Sequence, residues 1–562
     1  MRNKHSLGFA LVMCALAVGL LLGSTVVAKS AEVPVESWNF ELVGSVDTAT
    51  GLGTVGGGYS KIAPWPYTQN TFFNTGCYEN GLNVGTVGCF RVVNVANPFN
   101  PVRVATVEVF DRVNSPRPPL PNDPYWVTHP DTNVWTNDAF NNLPSSTACG
   151  DWKLPDGPGW TTGPTCWDKG WITRTHYTAG ASGDFQDGST IYWVNSQRLS
   201  GAPSKRLSYT GVAFYDLANP NIPQFLGRIN MAVDRAANGV YSNAGGVHHG
   251  FFDGRYAYLG AEESGFVAAH LVIVDAIDPA NPVLVGRWWI PGQKTPEEDA
   301  IRNSTGIDPQ TKLEKGWIPQ SGFTPITRDA TTGLLKKDYS FHYISVHKIR
   351  NKEIAIISWH QAGLIILDVT NKTNPKFLSR FDYLTPDFQK NDKLAGAQLD
   401  YAACVEENGQ GSACGNAHAA KLVDGTNIVW MADEYFVRPY GHLRFFDVSN
   451  LQNPKLISHL VLPETVDPSI DYPKRTASTH LGNNYGNVLF LAWYGLGVKA
   501  VDFSDPAYPQ LVGTYSYRAN DGEGGQATYD VIFDQIDNYL CVTDSDDGVR
   551  ILKWTGPGAM NE

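Results

Sequence analysis

Apolar residues along this chain fall into short runs separated by polar turns rich in Gly, Pro, Asn and Asp, a pattern that predicts strands. One arrangement recurs: a strand ends in Asp or Asn, and a proline-rich turn follows. The copies are Cys89–Asn94, Gly211–Asp216, His270–Asp275, Gly363–Asp368, His442–Asp447 and Gly497–Asp502, with Gly548–Lys553 as a seventh that ends in lysine. In the first six, a proline stands seven residues after the acid or amide, at Pro101, Pro223, Pro282, Pro375, Pro454 and Pro509. Asp and Asn accept nearby backbone N–H groups, while proline fixes φ and cannot continue a central strand.

Each marked strand is preceded by another, as in Tyr256–Leu259, Ile354–Ile357, Ile428–Met431 and Val488–Leu491, and before that by a shorter inner one. An outer strand follows, as in Val283–Gly286 and Gln510–Gly513. Such small sheets cannot bury their faces alone, and radial stacking solves the problem. The expected fold is all-β: a seven-bladed β-propeller of four-stranded antiparallel blades. The marker positions are spaced 122, 59, 93, 79, 55 and 51 residues apart. Intervals near 50–60 are bare blades, and the longer ones carry insertions near 102–173, 289–340 and 383–415, expected on one face. Phe40–Val46 contains the Leu-Val-Gly of the outer strands with no unit before it, so it is expected to complete the last blade and close the ring.

With Leu271-Val-Ile-Val-Asp275 the repeat resembles that of the LVIVD family of secreted propellers, over roughly residues 40–555. The resemblance implies the fold and a scaffold of cell surfaces or the periplasm. It brings no shared catalytic signature.

Export is also expected from the first residues. Arg2, Lys4 and His5 precede an apolar run from Leu7 to Val27, and Ala28-Lys29-Ser30 offers small residues for cleavage before Ala31. This divides the chain into a signal peptide over 1–30 and one propeller domain over 31–562, with no membrane span after cleavage and a periplasmic or extracellular location. The 562 residues carry a formal charge of −12, and losing Arg2, Lys4 and Lys29 brings it to about −15. With no basic run, a nucleic-acid partner is not expected. Cysteine spacing in an exported chain predicts disulfides 77–89, 149–166 and 404–414, leaving Cys541 buried and unbridged in an apolar strand. Trp126, Trp135, Trp152, Trp160, Trp167 and Trp171 crowd the first insertion and are read as packing for an irregular lid, the alternative being a surface that presents rings to a carbohydrate, a peptide or another subunit.

Candidate chemistry lies where the inner strands begin. His176, His248, His249, His347, His418 and His480 recur there, with Asp530 in the last unit. Inner strands line a propeller's axis, so these imidazoles are expected to converge as metal ligands. Loops on the same rim add Glu262, Glu263, His360, Glu434, Asp544, Asp546 and Asp547, of which Glu262 and Glu263 are the candidate catalytic carboxylates. Imidazole with carboxylate suits copper, and zinc as the alternative. The competing reading is that a histidine beginning an inner strand hydrogen-bonds to the neighbouring blade's backbone. An axial histidine cluster is similar in placement to the copper propellers of nitrous oxide reductase and thiocyanate dehydrogenase. The function expected is a periplasmic copper-dependent oxidoreductase acting on a small-molecule or inorganic substrate or with a redox partner protein. The alternative is a non-catalytic LVIVD-repeat binding scaffold. No GxSxG elbow, HExxH helix or phosphate-binding glycine loop is present.

Overall fold

The alternation of buried positions along each strand determines how the sheets pack. The computed structural model describes residues 34–46, 63–64, 72–77, 89–95, 97–108, 183–185, 191–196, 211–216, 218, 224–230, 246–263, 265–295, 298–311, 315–320, 326–383, 415–435, 440–467, 477–517, 528–534, 539–544 and 548–559. Their strands form seven antiparallel sheets in chain order and, between the third and fourth, one small mixed sheet. The first holds Ala63–Pro64, Phe72–Cys77, Cys89–Asn94 and Val102–Glu108, and the second Gly183–Phe185, Ile191–Ser196, Gly211–Asp216 and Gln224–Asn230. The third holds Gly246–Phe252, Tyr256–Glu262, His270–Asp275 and Val283–Trp288, and the fourth Tyr343–Ile349, Lys352–Ser358, Leu364–Asp368 and Lys376–Phe381. Ala417–Leu422, Ile428–Asp433, Leu443–Asp447 and Lys455–Leu460 make the fifth. The sixth has Gly482–Tyr485, Val488–Ala492, Val498–Asp502 and Gln510–Tyr517, and the seventh Thr528–Asp534, Tyr539–Asp544 and Gly548–Trp554.

Central strands of the fourth, fifth and sixth sheets are apolar on both faces because each of these sheets is covered by two neighbours. In the fourth sheet, Ile354 and Ile356 pack with Ala420, Met431 and Phe446 of the fifth. Ala355 and Ile357, pointing the other way, pack with Leu271 and Ile273 of the third. The same alternation joins the fifth sheet to the sixth through Trp430, Phe445, Leu489 and Val501, and the sixth to the seventh through Phe490, Leu540 and Leu552. Val93 of the first sheet packs with Ile532, Cys541 and Ile551 of the seventh. Burying each large aliphatic side chain contributes roughly 1.5–3 kcal/mol. These sheets have the form of propeller blades.

A second device acts at the outer strands. Each fourth strand slips register by one residue near its start, and the position after the slip is small: Gly44, Ala105, Gly227, Gly286, Ser379, Ser458 and Gly513. At Gly44, Gly227, Gly286, Ser379 and Ser458 the bulge turns that position toward the next sheet's proline turn, and at Gly513 toward the Trp554 and Phe40 rings. A Cβ at Gly286 would overlap the Lys372 carbonyl, one at Gly227 the carbonyls of Pro279 and Ala280, and one at Gly44 the carbonyl of Pro98. Where serine stands instead, its hydroxyl donates to the turn: Ser379 to Leu451 O at 2.5 Å, and Ser458 to Pro506 O. The turns are shaped by their leading acids, as when Asp447 accepts from the Ser449 N–H and Asp502 from the Ser504 N–H, each at 2.8 Å.

Phe40–Val46 pairs antiparallel with Gly548–Trp554, so the beginning and end of the described chain share the seventh sheet. The sequence pattern missed an extra strand. Pro34–Trp38 pairs with Gln510–Tyr517 as a fifth strand of the sixth sheet, and Asn39 (φ 61°) turns the chain between the two while its amide donates to Val512 O at 2.7 Å.

Three expectations are corrected or narrowed. Val102–Glu108 is the outer strand of the first sheet, so the first insertion begins after it. The insertion before the fourth sheet contains a helical turn at Asp299–Arg302 and a small sheet of Trp317–Pro319, Thr327–Arg328 and Leu335–Lys337. The disulfide expectation is overturned: among the described residues there is none, and Cys541 is a buried thiol. Cys77 and Cys89 are direct partners in an antiparallel ladder whose backbone bonds already fix their register. Cys149, Cys166, Cys404 and Cys414, the crowded tryptophans and the signal segment lie outside the described residues. No helix among the described residues is long and apolar enough to cross a membrane.

The outer-strand contact gives a direct test. Gly286→Ala places a Cβ against the Lys372 carbonyl, a backbone atom that cannot rotate away. The expected loss is about 1–3 kcal/mol of stability, read by chemical denaturation.

Candidate metal centre

The inner strands begin with a backbone irregularity that exposes side chains to one another. In the third sheet two residues, His248 and His249, bulge opposite Gly260, because Val247 pairs with Ala261 and Gly250 with Leu259. In the fifth, His418 is the extra residue between Ala417 and Ala419. In the seventh, Tyr529 occupies the bulge between Thr528 and Asp530. Bulges re-aim side chains that a regular strand would send into the sheet's flank. The fourth and sixth sheets use a different device. His342 and His480 lie just ahead of their strands, their N–H groups donating to Ser358 O and Ala492 O. The loop after each second strand has a left-handed residue, His360 (φ 33°) or Tyr494 (φ 35°), which bridges to the next sheet at Ala417 or Thr528.

These positions converge. Ring centroids are 4.3 Å apart for His248–His249, 4.7 Å for both His248–His342 and His249–His342, 3.9 Å for His342–His418 and 4.3 Å for His418–His480. Two sets bring ligand atoms within 4.8 Å of one another: His248, His249 and His342, and His342, His418 and Glu434. The Nε2 atoms of His248 and His342 are 3.0 Å apart. Two nitrogens about 2.0–2.1 Å from one ion would subtend roughly 95° at that spacing, an angle metal coordination accommodates.

The cluster also satisfies the competing expectation in part. His342 donates through Nδ1 to the His418 carbonyl at 2.8 Å, and His480 through Nδ1 to the Tyr529 carbonyl at 2.5 Å. In each pair the acceptor is the matching residue of the next sheet. Such a bond fixes the tautomer and leaves Nε2 as the lone-pair atom, which is how ligating imidazoles are oriented. His418 differs: it is 1% exposed, and neither ring nitrogen has a hydrogen-bond partner. Its Nε2 faces Glu434 Oε2 at 3.3 Å without hydrogen-bond geometry, and Glu434 Oε1 accepts from the Tyr494 hydroxyl.

Burial sets the charge of the site. It lowers His248 to about 3, with further repulsion from His360 and His480. It drives His342 and His418 well below the ordinary histidine value, helped by repulsion from His418 and His360 in the first and from His480 and His249 in the second. His480 falls to about 4, burial outweighing its backbone bond to Tyr529. Burial raises Glu434 to about 7 against the Tyr494 hydrogen bond and the nearby His360. These four imidazoles are therefore neutral at neutral pH, the state in which histidine ligates metal. Buried histidine and glutamate here form clusters capable of holding a metal ion.

Several candidates stand elsewhere. His347 is five residues too far along: it sits inside Tyr343–Ile349, with Nδ1 3.5 Å from exposed Asp424, and His342 holds the place expected for it. A common interval of 26 residues from His249 to Asp275 and from His342 to Asp368 carried that register. Asp530 belongs to neither ligand set; its carboxylate accepts the Val531 N–H at 2.8 Å, and Tyr529 has the site-facing bulge. Glu263 is unsuited to be a base, because Arg287 Nε binds its Oε2 at 2.6 Å and His270 lies 3.2 Å from the same oxygen. Glu262 pairs with Gly246, the register position that Glu434 occupies against Asn416 in the fifth sheet. His176, Asp546 and Asp547 lie outside the described residues. Glu434 and His360, first read only as rim residues, and His342, which was not read at all, belong to or adjoin the cluster.

Comparison with known proteins identifies the repeat. The LVIVD repeat model matches residues 253–289, 355–383 and 485–516. This chain carries LVIVD repeats. The matched LVIVD segments cover the second to fourth strands of the third, fourth and sixth sheets. His248, His249, His342, His418 and His480 all lie outside them, whereas His360 lies inside the second. No curated protein matches this LVIVD-repeat chain. Among solved structures it is similar to the Pseudomonas aeruginosa periplasmic gluconolactonase PpgL, at 10% identity over 92% of this chain and 100% of that one, with a TM-score of 0.40. It is also similar to Sqt1 of Saccharomyces cerevisiae, at 7% identity over 91% and 99%, with a TM-score of 0.42, and to Sqt1 of Chaetomium thermophilum, at 8% identity over 92% and 100%, with a TM-score of 0.43.

The Glu263 ion pair makes a pH-dependent prediction. Burial pushes this carboxyl up, but hydrogen bonds from His270 and Arg287 outweigh it and hold it at about 2 rather than 4.5. A lowered carboxyl contributes stability that is complete above pH 4.5 and lost as pH falls through 2. Glu263→Gln should cost on the order of 2 kcal/mol at pH 7. In paired denaturation curves at pH 7 and pH 3, the deficit relative to wild type should narrow at the lower pH.

Proposed function

We propose that this chain is an exported seven-bladed propeller, a single domain over residues 31–562 that follows a signal peptide over 1–30. In this reading Phe40–Val46 closes the ring and the histidine cluster is the metal centre of a periplasmic or extracellular copper-dependent oxidoreductase. The contacts of Gly44 with Pro98 and of Ile532 with Val93 support closure, since they join the seventh sheet to the first.

The observation that carries the metal centre is His418. A wholly buried imidazole with two unpartnered nitrogens costs roughly 1–3 kcal/mol for each unmade bond, and a bound ion removes that cost at Nε2. His248, His249, His342 and His418 would supply nitrogens and Glu434 an oxygen, its carboxylate held by Tyr494. Several neutral imidazoles and one carboxylate suit copper, with zinc the alternative. Copper, when bound, supplies a one-electron couple; the substrate would be a small molecule or inorganic ion, with electrons passed to a redox partner protein. In this reading Glu262, the register counterpart of Glu434, would take a proton from substrate. The carbonyl bonds of His342 and His480 favour a second reading, in which the histidines only join sheets and the chain is a non-catalytic binding scaffold.

Elemental analysis separates the two. Protein purified from a periplasmic extract without chelators or affinity metal should contain copper at one or more ions per chain. His418→Ala should lower that content at least severalfold, and His347→Ala should leave it unchanged. Equal metal in the folded His418→Ala variant removes that ligand, and metal-free wild type leaves the scaffold reading.

A further inference from the structure

The insertion before the fourth sheet ends at Asp338, and Asp338 meets His360. His360 Nδ1 lies 3.0 Å from Asp338 Oδ2, so the ring N–H donates to the carboxylate. Asp338 is 7% exposed, and the His360 side chain 13%. Its other nitrogen, Nε2, is buried and has no hydrogen-bond partner. The ring lies 4.7 Å from that of His342, at 31° to it. His360 is also one of the few non-glycine residues at positive φ, a conformation kept only where the surroundings over-determine it.

Those surroundings are unusually complete. On one side the Trp359 indole N–H donates to the Tyr339 carbonyl at 2.8 Å. On the other, Gln361 and Asp338 exchange two bonds: the Gln361 N–H reaches Asp338 O at 3.1 Å, and the Asp338 N–H reaches Gln361 Oε1 at 2.8 Å. His360 O then accepts the Ala417 N–H at 3.0 Å, tying this loop to the strand that carries His418. The residues on both sides of His360 are thus fastened to Asp338 itself and to Tyr339 beside it. Nothing in the packing of the fourth sheet requires this; a tight turn alone would be served by glycine.

We propose that His360 is a further ligand of the metal centre through Nε2, and that Asp338, contributed by the insertion, is its positioning residue. This rests on the metal-centre reading above. The carboxylate fixes the Nδ1–H tautomer and the ring plane and leaves the lone pair on Nε2; His360 is in neither of the two ligand sets, and its ring lies beside that of His342, which is in both. The insertion is then a working part of the centre as well as a cover for it.

The test is Cu(II) binding to the metal-stripped full-length chain, followed by titration and by electron paramagnetic resonance of the bound ion. His360→Gln should weaken Cu(II) binding and remove one nitrogen from the resonance pattern. Asp338→Asn, which keeps the shape and an acceptor oxygen, should weaken binding about 10–100-fold and change the resonance parameters while thermal melting stays near wild type. Asp338→Glu should restore part of the affinity. Wild-type affinity and spectrum in folded His360→Gln and Asp338→Asn would overturn this assignment and leave the metal centre standing. A wild-type chain that takes up no Cu(II) would overturn both.

Discussion

The arrangement depends on how one sheet meets the next. A bulged outer strand places a small residue under the proline turn of its neighbour, close enough that Gly286 has room for no more than a hydrogen against the Lys372 carbonyl. Central strands supply the apolar area, but area alone is non-directional and would allow sheets to slide. The bulge contact fixes the sliding coordinate, and the serine variants at Ser379 and Ser458 fix it with a hydrogen bond instead. Positions distant in sequence then become neighbours at the inner ends of the strands.

At those inner ends the backbone departs from regular pairing in two alternating ways. The third, fifth and seventh sheets insert bulge residues, and the fourth and sixth use a left-handed residue that bridges to the following sheet. Each irregularity leaves a ring facing its neighbours. A sheet joined only through regular ladders would send His418 into the space between blades, where it would compete with Met431 and Leu422 for apolar volume. The irregular ends therefore allow a polar cluster to exist beside a continuous apolar core.

The fold was legible because its determinants are local and repeated. The acid, the proline seven residues on and the small residue of Leu-Val-Gly can each be read from one short window, and the structure uses all three. Pro34–Trp38 was not legible, since it repeats nothing and borrows its pairing from the edge of the sixth sheet. The cluster was legible only in outline. His248, His249, His418 and His480 begin inner strands as read, but His342 was missed for His347 because both precede or occupy the same alternating segment, and one register slip changes which residue reaches the rim. Glu434 and Asp338 gain their roles from cross-sheet contacts, which no sequence window contains.

Structural and metal-binding roles for the histidines have seemed to compete, yet the geometry combines them. An imidazole has two nitrogens, and in His342 and His480 one is spent on the next sheet's carbonyl while the other remains. The bond that joins sheets also fixes the tautomer, and the burial that keeps water from these rings keeps them neutral. Repulsion among them would make the cluster unfavourable if they were protonated together, so a neutral cluster is the only low-energy state of this packing without an anion or a proton sink. Glu434 is the one carboxylate in the ligand sets, and burial raises it toward neutrality rather than letting it act as a fixed counter-charge. Among the described residues of the cluster, His360 Nε2 and both ring nitrogens of His418 are buried without a hydrogen bond. A divalent or monovalent soft cation matches that deficit in charge and in directionality, and an apolar ligand matches neither.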